Sequence, residues 1–247
     1  METKESKFYN ISWSNESWDE MIDNTPAPKH RRRIISKIIK NLNCKKKTFL
    51  DVGCGNGSLI KLLHNKYINS KYTGLDISDA VILRNSEKYK FADWGTVDLD
   101  ESDLTKKADI VICSEVIEHV RDWKLSLSKL VKASNQYIVI SVPSGKIYPI
   151  DKRVGHYQHF NTDMVNNYLS SIEGISWEIK YWGFPFHMLY KFLININADK
   201  TYESFAKKKK YTFLESIISK FVNILFYFNI NSSFETGQMF IIIKKND

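Results

Sequence analysis

Phe49-Leu50-Asp51-Val52-Gly53-Cys54-Gly55-Asn56-Gly57 is the stretch that decides the fold of this chain. Its apolar start predicts a strand from Thr48 to Val52, and its three glycines predict a sharp turn into a helix from about Ser58 to Asn65. Glycine has no Cβ, so the backbone can turn tightly there and a ligand can approach it closely. Alone, the spacing is weak evidence, since a dinucleotide loop or an ordinary strand–helix turn can carry it too. Two carboxylates narrow it. Asp51 stands two positions before the first glycine, and Asp76 lies in a second predicted strand, Tyr72 to Ile77. A carboxylate at that strand end accepts both hydroxyls of a ribose.

Working outward, β-branched runs alternate with helical stretches as far as Val142, the pattern of a parallel sheet with helices on both faces. A weak third strand is expected around Tyr89 to Ala92. Phe91-Ala92-Asp93-Trp94 would then offer a carboxylate to the adenine amino group and an aromatic ring to the base. Ala108 to Ser114, with Ile110-Val111-Ile112 at its centre, reads as a strand buried on both faces. It leads into the polar group Ser114-Glu115-Val116-Ile117-Glu118-His119. A helix from about Asp122 to Lys132 and a fifth strand, Tyr137 to Val142, follow, and Pro143 ends that strand. Asn161 or Thr162 caps the next helix. Trp177 to Trp182 and Gln238 to Lys244 are the sixth and seventh strands.

Between those two strands lies Phe186 to Phe228, which carries two apolar helical stripes. Met188, Leu189, Phe192 and Leu193 form one. Leu214, Ile217, Ile218, Phe221, Val222 and Leu225 form the other. Packing against the sheet is the ordinary reason for such stripes, and a face resting on a membrane is the alternative. The expected organisation is an N-terminal helical segment (1–47) that caps the cofactor, a core (48–185 and 236–247) and a helical lid (186–235).

Thr48 to Ser144 resembles the class I S-adenosylmethionine-dependent methyltransferase superfamily, in particular its type 11/type 23 group, through the D-V-G-C-G-x-G loop and the E-V-x-E-H end of strand four. The resemblance implies an α/β, Rossmann-like, seven-stranded, mostly parallel sheet in the order 3-2-1-4-5-7-6, with the last strand antiparallel. It implies S-adenosylmethionine as methyl donor and S-adenosylhomocysteine as product. Carried onto these positions, Gly53, Cys54 and Gly55 line the methionine end, Asp51 is a further cofactor-binding residue, and Asp76 holds the ribose. Ile77 packs on the adenine, Asp93 and Trp94 recognise the base, and Ser114 offers its carbonyl to the ammonium, with Glu115 beside it. An arginine of His30-Arg31-Arg32-Arg33, on a helix closing over the cofactor with Tyr9, Trp13 and Trp18, would pair with the methionine carboxylate. Packing within a basic helix turn is the alternative for these residues.

The acceptor side is read from Gly155-His156-Tyr157-Gln158-His159-Phe160, which follows strand five and so lies beyond the carboxyl ends of the parallel strands. It resembles a G-H-x-x-x-F segment of many relatives. His156, Tyr157 and His159 are candidate proton acceptors, with His119 as a further catalytic candidate; helix capping or pocket shaping is the alternative for each. The acceptor expected is a small or sugar-like molecule, methylated on oxygen or nitrogen, such as a precursor of a bacterial surface glycan. An RNA acceptor, or a non-catalytic partner subunit that only binds the donor, are the alternatives.

Composition sets the outer limits. The 247 residues carry a net charge of +8, which favours an anionic acceptor. Nucleic acid is not expected, because Lys45-Lys46-Lys47 and Lys207-Lys208-Lys209-Lys210 are not interleaved with aromatics. Cys44, Cys54 and Cys113 are far apart and odd in number, so neither a disulfide framework nor a metal pair is expected from them. The charged Met1 to Lys7 does not read as a signal peptide, and Phe221 to Ile230 is too short for a membrane span. A cytoplasmic enzyme with at most peripheral membrane contact is the expectation.

Overall fold

The computed structural model describes residues 3–14, 17–42, 44, 47–207, 210–232, 235 and 237–246. Lys45, Lys46, Lys208 and Lys209 of the two lysine runs lie outside them, as do Met1 and Glu2.

The sheet grows from β1 (Thr48–Val52), which pairs in parallel with β2 (Lys71–Asp76) on one side and β4 (Ala108–Ser114) on the other. β3 (Asp93–Thr96) adds outside β2, and β5 (Ser134–Pro143) outside β4, both in parallel. β6 (Ile175–Phe184) and β8 (Gln238–Lys245) finish the chain's large strands. β8 slots between β5 and β6 and runs antiparallel to both. The order β3-β2-β1-β4-β5-β8-β6 is the expected doubly wound arrangement, with the late strand reversed. A short β7 (Ile230–Ser232) extends the β6 edge as an eighth strand that the sequence pattern does not announce.

Two apolar layers cover the sheet. On one face, α6 (Trp123–Ala133) and α8 (Thr162–Leu169) bring Trp123, Leu127, Leu130, Val165 and Leu169 against Val111, Ile138 and Ile241. Asp122 caps α6 by accepting from Lys124 N and Leu125 N, and Asn161 caps α8 by accepting from Met164 N. On the other face, α3 (Pro26–Asn41) and α4 (Ser58–His64) bury Ile35, Ile39, Leu59, Ile60 and Leu63 against Phe49, Ile110 and Ile112.

The third strand departs from the sequence reading. Tyr89 ends α5 (Asp79–Lys88) as its C-cap, and Phe91 stacks on His64 with ring centroids 3.8 Å apart. Those aromatics therefore pack against α4 and β2, and the strand begins only at Asp93. Its Asp-Trp-Gly-Thr sequence carries little strand propensity, and only pairing to β2 makes it a strand.

The insertion between β6 and β8 holds α9 (Phe186–Asn195), α10 (Ala198–Lys207) and α11 (Phe213–Phe226). α9 packs on β6 and on α7 (Pro149–Arg153). α10 touches α7 and α2 (Ser17–Asn24), and α11 lies along α3. Phe226 anchors α11, buried among Trp182, His187 and Tyr190. Most of the two apolar stripes does not pack on the sheet; Val222 alone of them joins the core beside it. Met188, Leu189, Phe192 and Leu193 of α9, and Leu214, Ile217, Ile218 and Phe221 of α11, are exposed. The side of α9 that turns inward carries His187, Tyr190, Lys191 and Ile194. No helix among the described residues is long and apolar enough to cross a membrane.

Candidate functional site

One cleft of about 420 Å³ opens along the carboxyl ends of β1, β2 and β4, under α1 (Lys4–Ser14), α2 and α9. That volume is in the range of small-molecule sites. Its first end is built by the glycine loop. Gly53 N and Cys54 N donate to Leu75 O at 2.7 and 2.9 Å, which pins the loop to the tip of β2. Gly55 N donates to Asp76 Oδ2 at 2.9 Å, and Asn85 Nδ2 donates to Gly55 O at 2.7 Å. Gly53 sits at φ +75°, and a Cβ there would stand 2.1 Å from Val116 Cγ2. Gly55, at φ +50°, lies under Trp13, whose Cζ2 would be 3.0 Å from an added Cβ. The loop is thus held both by backbone geometry and by close neighbours on either side.

Asp51 and Asp76 are both buried at this end. Loss of hydration, with the Asp76 charge nearby, pushes Asp51 up to about 7. Burial also raises Asp76, opposed by the N–H groups of Ser78, Gly55 and Ile77. Ile77 lines the cleft beside it. Asp93 and Trp94 do not line it. Asp93 is exposed, and Trp94 Nε1 donates to Tyr89 O at 3.1 Å on the far side of β2, with its ring against Gly57 and Gly74. The carboxylates that reach the cleft from the β3 side are Asp98 and Asp100, two and four residues past the strand end. Asp98 Oδ1 accepts from Asp100 N at 2.9 Å. Placing the third strand four residues too early hid Asp98. The apolar–acidic–apolar triplet Val97-Asp98-Leu99 is the signal that could have found it.

In the middle, Ser114 and Glu115 line the cleft, with Ser114 Oγ and Ser141 Oγ 2.8 Å apart. Glu115 has φ +58°, a strained value for a residue with a Cβ. Several bonds hold it there. Its N–H donates to Ser141 O at 2.9 Å, and its carboxylate accepts from Arg31 Nη1 at 3.0 Å and Gln238 Nε2 at 2.8 Å. Arg32, the next residue on α3, also lines the cleft and donates to Ile22 O at 2.9 Å; burial lowers it to about 10.

The other end is an imidazole cluster. Tyr157 N donates to Glu118 O at 2.9 Å and Gln158 Nε2 to Ile117 O at 3.2 Å. These bonds tie the segment after α7 over the end of β4. They bring His119 and His156 together, with ring centroids 4.6 Å apart, and both line the cleft. His156 Nδ1 lies 3.0 Å from His159 Nε2, which is 3.4 Å from Asp151 Oδ2. Lys191 of α9 closes the row at 3.3 Å from the same carboxylate oxygen. Burial lowers His119 to about 4 and, with neighbouring His119 and His159, His156 to about 2, so both are neutral imidazoles at neutral pH. His159 is lowered too, by burial first and Lys191 second, and stands behind His156 outside the cleft. Tyr157 points away: it is 56% exposed, and its hydroxyl donates to Glu5 Oε1 at 3.4 Å. It does not belong to the cluster.

Glu118 forms the floor beneath the histidines. It has no exposed surface, and neither carboxyl oxygen has a hydrogen-bond partner among the described residues. Burial and the nearby Glu115 carboxylate raise it well above the usual range. Asp151 and Lys191 were missed in the sequence because they belong to elements that share no motif with the glycine loop. The cleft alone brings them near it.

A family model described as a methyltransferase domain matches residues 50–136. A malonyl-[acyl-carrier protein] O-methyltransferase from Anoxybacillus flavithermus is 27% identical over 108 residues, which is 43% of this chain and 42% of the relative. An (S)-tetrahydroprotoberberine N-methyltransferase from Eschscholzia californica is 34% identical over 88 residues, 34% of this chain and 25% of the relative. The chain thus spans less than half the length of these curated relatives. Among solved structures, Haemonchus contortus phosphoethanolamine N-methyltransferase 2 with S-adenosyl-L-methionine aligns at TM-score 0.66 and 16% identity, covering 99% of this chain and 60% of that one. The N-methyltransferase NodS from Bradyrhizobium japonicum, with S-adenosylhomocysteine, aligns at 0.59 and 12% identity over 99% of both chains. Residues 50–136 thus match a methyltransferase domain that carries the glycine loop and the strand-four end, within a fold like that of S-adenosylmethionine-dependent methyltransferases.

Proposed function

We propose that this chain moves a methyl group from S-adenosylmethionine to an oxygen of a small or sugar-like acceptor, leaving S-adenosylhomocysteine. The observation that carries the reading is a single cleft with two chemically different ends, joined across Gly53 and Glu115. The first end fits the donor. A Cβ would fill the cradle at Gly53 and Gly55, and a buried carboxylate, Asp76, stands at the ribose position with an apolar neighbour, Ile77. When bound, the donor supplies an electrophilic methyl carbon on a sulfonium. Asp76 holds its ribose, Asp98 takes the base-recognition role expected of Asp93, and Arg32 is the arginine for its carboxylate, because Arg31 is already paired with Glu115.

The second end takes the acceptor. His119 and His156 present neutral imidazole edges to the cleft, and the His159–Asp151 pair holds His156 in place. A hydroxyl has to shed its proton as it is methylated, and an imidazole cluster serves that need more than an amine acceptor would require. The net charge of +8 favours an acceptor bearing negative charge, for which a surface-glycan precursor has suitable chemistry. Holding the acceptor in line with the methyl carbon supplies much of the rate.

Two measurements bear on the assignments. Asp98→Asn is expected to weaken S-adenosylhomocysteine binding about tenfold or more, the worth of one hydrogen bond to a charged group, while Asp93→Asn leaves it unchanged. The reverse pattern returns the base-recognition role to Asp93. His156→Ala is expected to lower turnover ~100-fold or more with donor affinity intact. The function itself is tested by incubation with methyl-labelled S-adenosylmethionine and fractionated cell metabolites, followed by mass identification. A labelled small product with an oxygen-bound methyl is expected. Label confined to RNA or protein would overturn the small-molecule acceptor.

A further inference from the structure

We propose that Glu118, His119 and His156 form a binding site for one divalent transition-metal ion at the acceptor end of the cleft. One ligand atom from each of the three lies within 4.8 Å of the others. Three atoms so spaced share a centre no more than roughly 2.8 Å from each, and small side-chain rotations bring that to the ~2.0–2.2 Å of metal–nitrogen and metal–oxygen bonds.

The independent observation is Glu118. A buried carboxyl with neither oxygen hydrogen-bonded is rare in a folded protein, and such a group calls for a partner that is missing from the protein atoms. The neighbouring carboxylates do not share this condition, since Glu115 is paired with Arg31 and Asp151 with Lys191. Among the described residues Glu118 is the carboxylate of this cluster without a cation. A second triad, Asp151, His156 and His159, is close enough to ligate, but its members already bond to one another. They instead form the outer support that metal-binding histidines usually have: His156 Nδ1 lies 3.0 Å from His159 Nε2, which helps fix the ring, and ligation through Nε2 would keep that contact.

Two imidazoles and one carboxylate suit first-row ions such as Mn²⁺, Co²⁺ or Zn²⁺ better than the oxygen-loving Mg²⁺. Three protein ligands leave coordination positions open, and His119 and His156 both face the cleft, so an acceptor oxygen can take one of them. Ligation would favour loss of the hydroxyl proton in place of its uptake by His119 or His156, whose lone pairs would then hold the ion, and it selects acceptors whose oxygen is a hydroxyl or carboxylate. This use of the ion rests on the methyl-transfer reading; the site itself does not.

The test is Co²⁺ titration of the full chain, followed by calorimetry and visible absorption, with S-adenosylhomocysteine binding measured on the same samples. One equivalent of Co²⁺ is expected, with the absorption of imidazole-bound cobalt. Glu118→Gln and His156→Ala should each weaken it roughly 100-fold or more, and His159→Ala by about 10–100-fold, while donor binding persists in all three. A parent protein that binds S-adenosylhomocysteine but takes up no Co²⁺ overturns the metal site and leaves the methyltransferase reading standing. Co²⁺ binding unchanged in Glu118→Gln and His156→Ala overturns it as well. A parent that takes up one Co²⁺ but no S-adenosylhomocysteine supports the site and counts against the methyltransferase reading.

Discussion

Asp76→Ala is expected to bind S-adenosylhomocysteine at least ~100-fold more weakly than the parent protein in a calorimetric titration. Each oxygen of this buried carboxylate already takes one backbone N–H: Oδ2 from Gly55 at 2.9 Å and Oδ1 from Ser78 at 3.0 Å. Those bonds, with the Ile77 N–H beside them, fix the orientation of a carboxylate that still lines the cleft where a ribose hydroxyl would reach it. A hydrogen bond to a charged group contributes about 1.5–3 kcal/mol, so losing two costs roughly two to four powers of ten in affinity. The substitution also leaves two loop N–H groups unsatisfied, which adds to the loss. Asp76→Asn, which keeps the shape but offers one acceptor oxygen, should fall between. Full affinity in Asp76→Ala would remove the residue from ribose recognition.

Gly53→Ala should lower the melting temperature by about 5–15 °C. An alanine at φ +75° costs about 1–2 kcal/mol of backbone strain. The new methyl would meet Val116 Cγ2 at 2.1 Å, and overpacking of that kind adds about 1–3 kcal/mol. Each kcal/mol is worth about 2–4 °C in a chain of this size. Because the clash is with one named side chain, Val116→Ala should relieve part of it. The double variant is then more stable than the sum of the single effects by ~1 kcal/mol. Strict additivity would mean that the contact between the glycine loop and β4's end is not what requires glycine.

The central sheet was legible because its code is local. Phe49-Leu50 and Ile110 to Cys113 are unbroken apolar runs between turn signals, the mark of a parallel strand buried on both faces. The convergence of Asp51 to Gly57 and Asp76 at one end of the cleft was legible for the same reason, since each sits at a strand tip set by an adjacent apolar run. β3 was less legible, because its sequence is polar and its neighbours Tyr89 and Phe91 imitate a strand while packing on α4 and Trp94. Asp98 was lost with it. The outer faces of α9 and α11 have helical periodicity, and periodicity alone does not say whether a stripe meets the sheet or solvent. At the acceptor end, His156 and His119 could be singled out by residue type. Their meeting with Glu118 and Asp151 depends on how the segment after α7 is tied back over β4, and no spacing in the sequence encodes that.

Trp13 lies edge-on to Trp18, with centroids 5.4 Å apart, and is almost fully buried against Gly55. The indole therefore borders the space that the donor's methionine end would occupy. Its emission responds to the polarity of that space, so S-adenosylhomocysteine binding is expected to change the protein's own fluorescence, and Trp13→Phe should remove that change from the signal of the other five tryptophans.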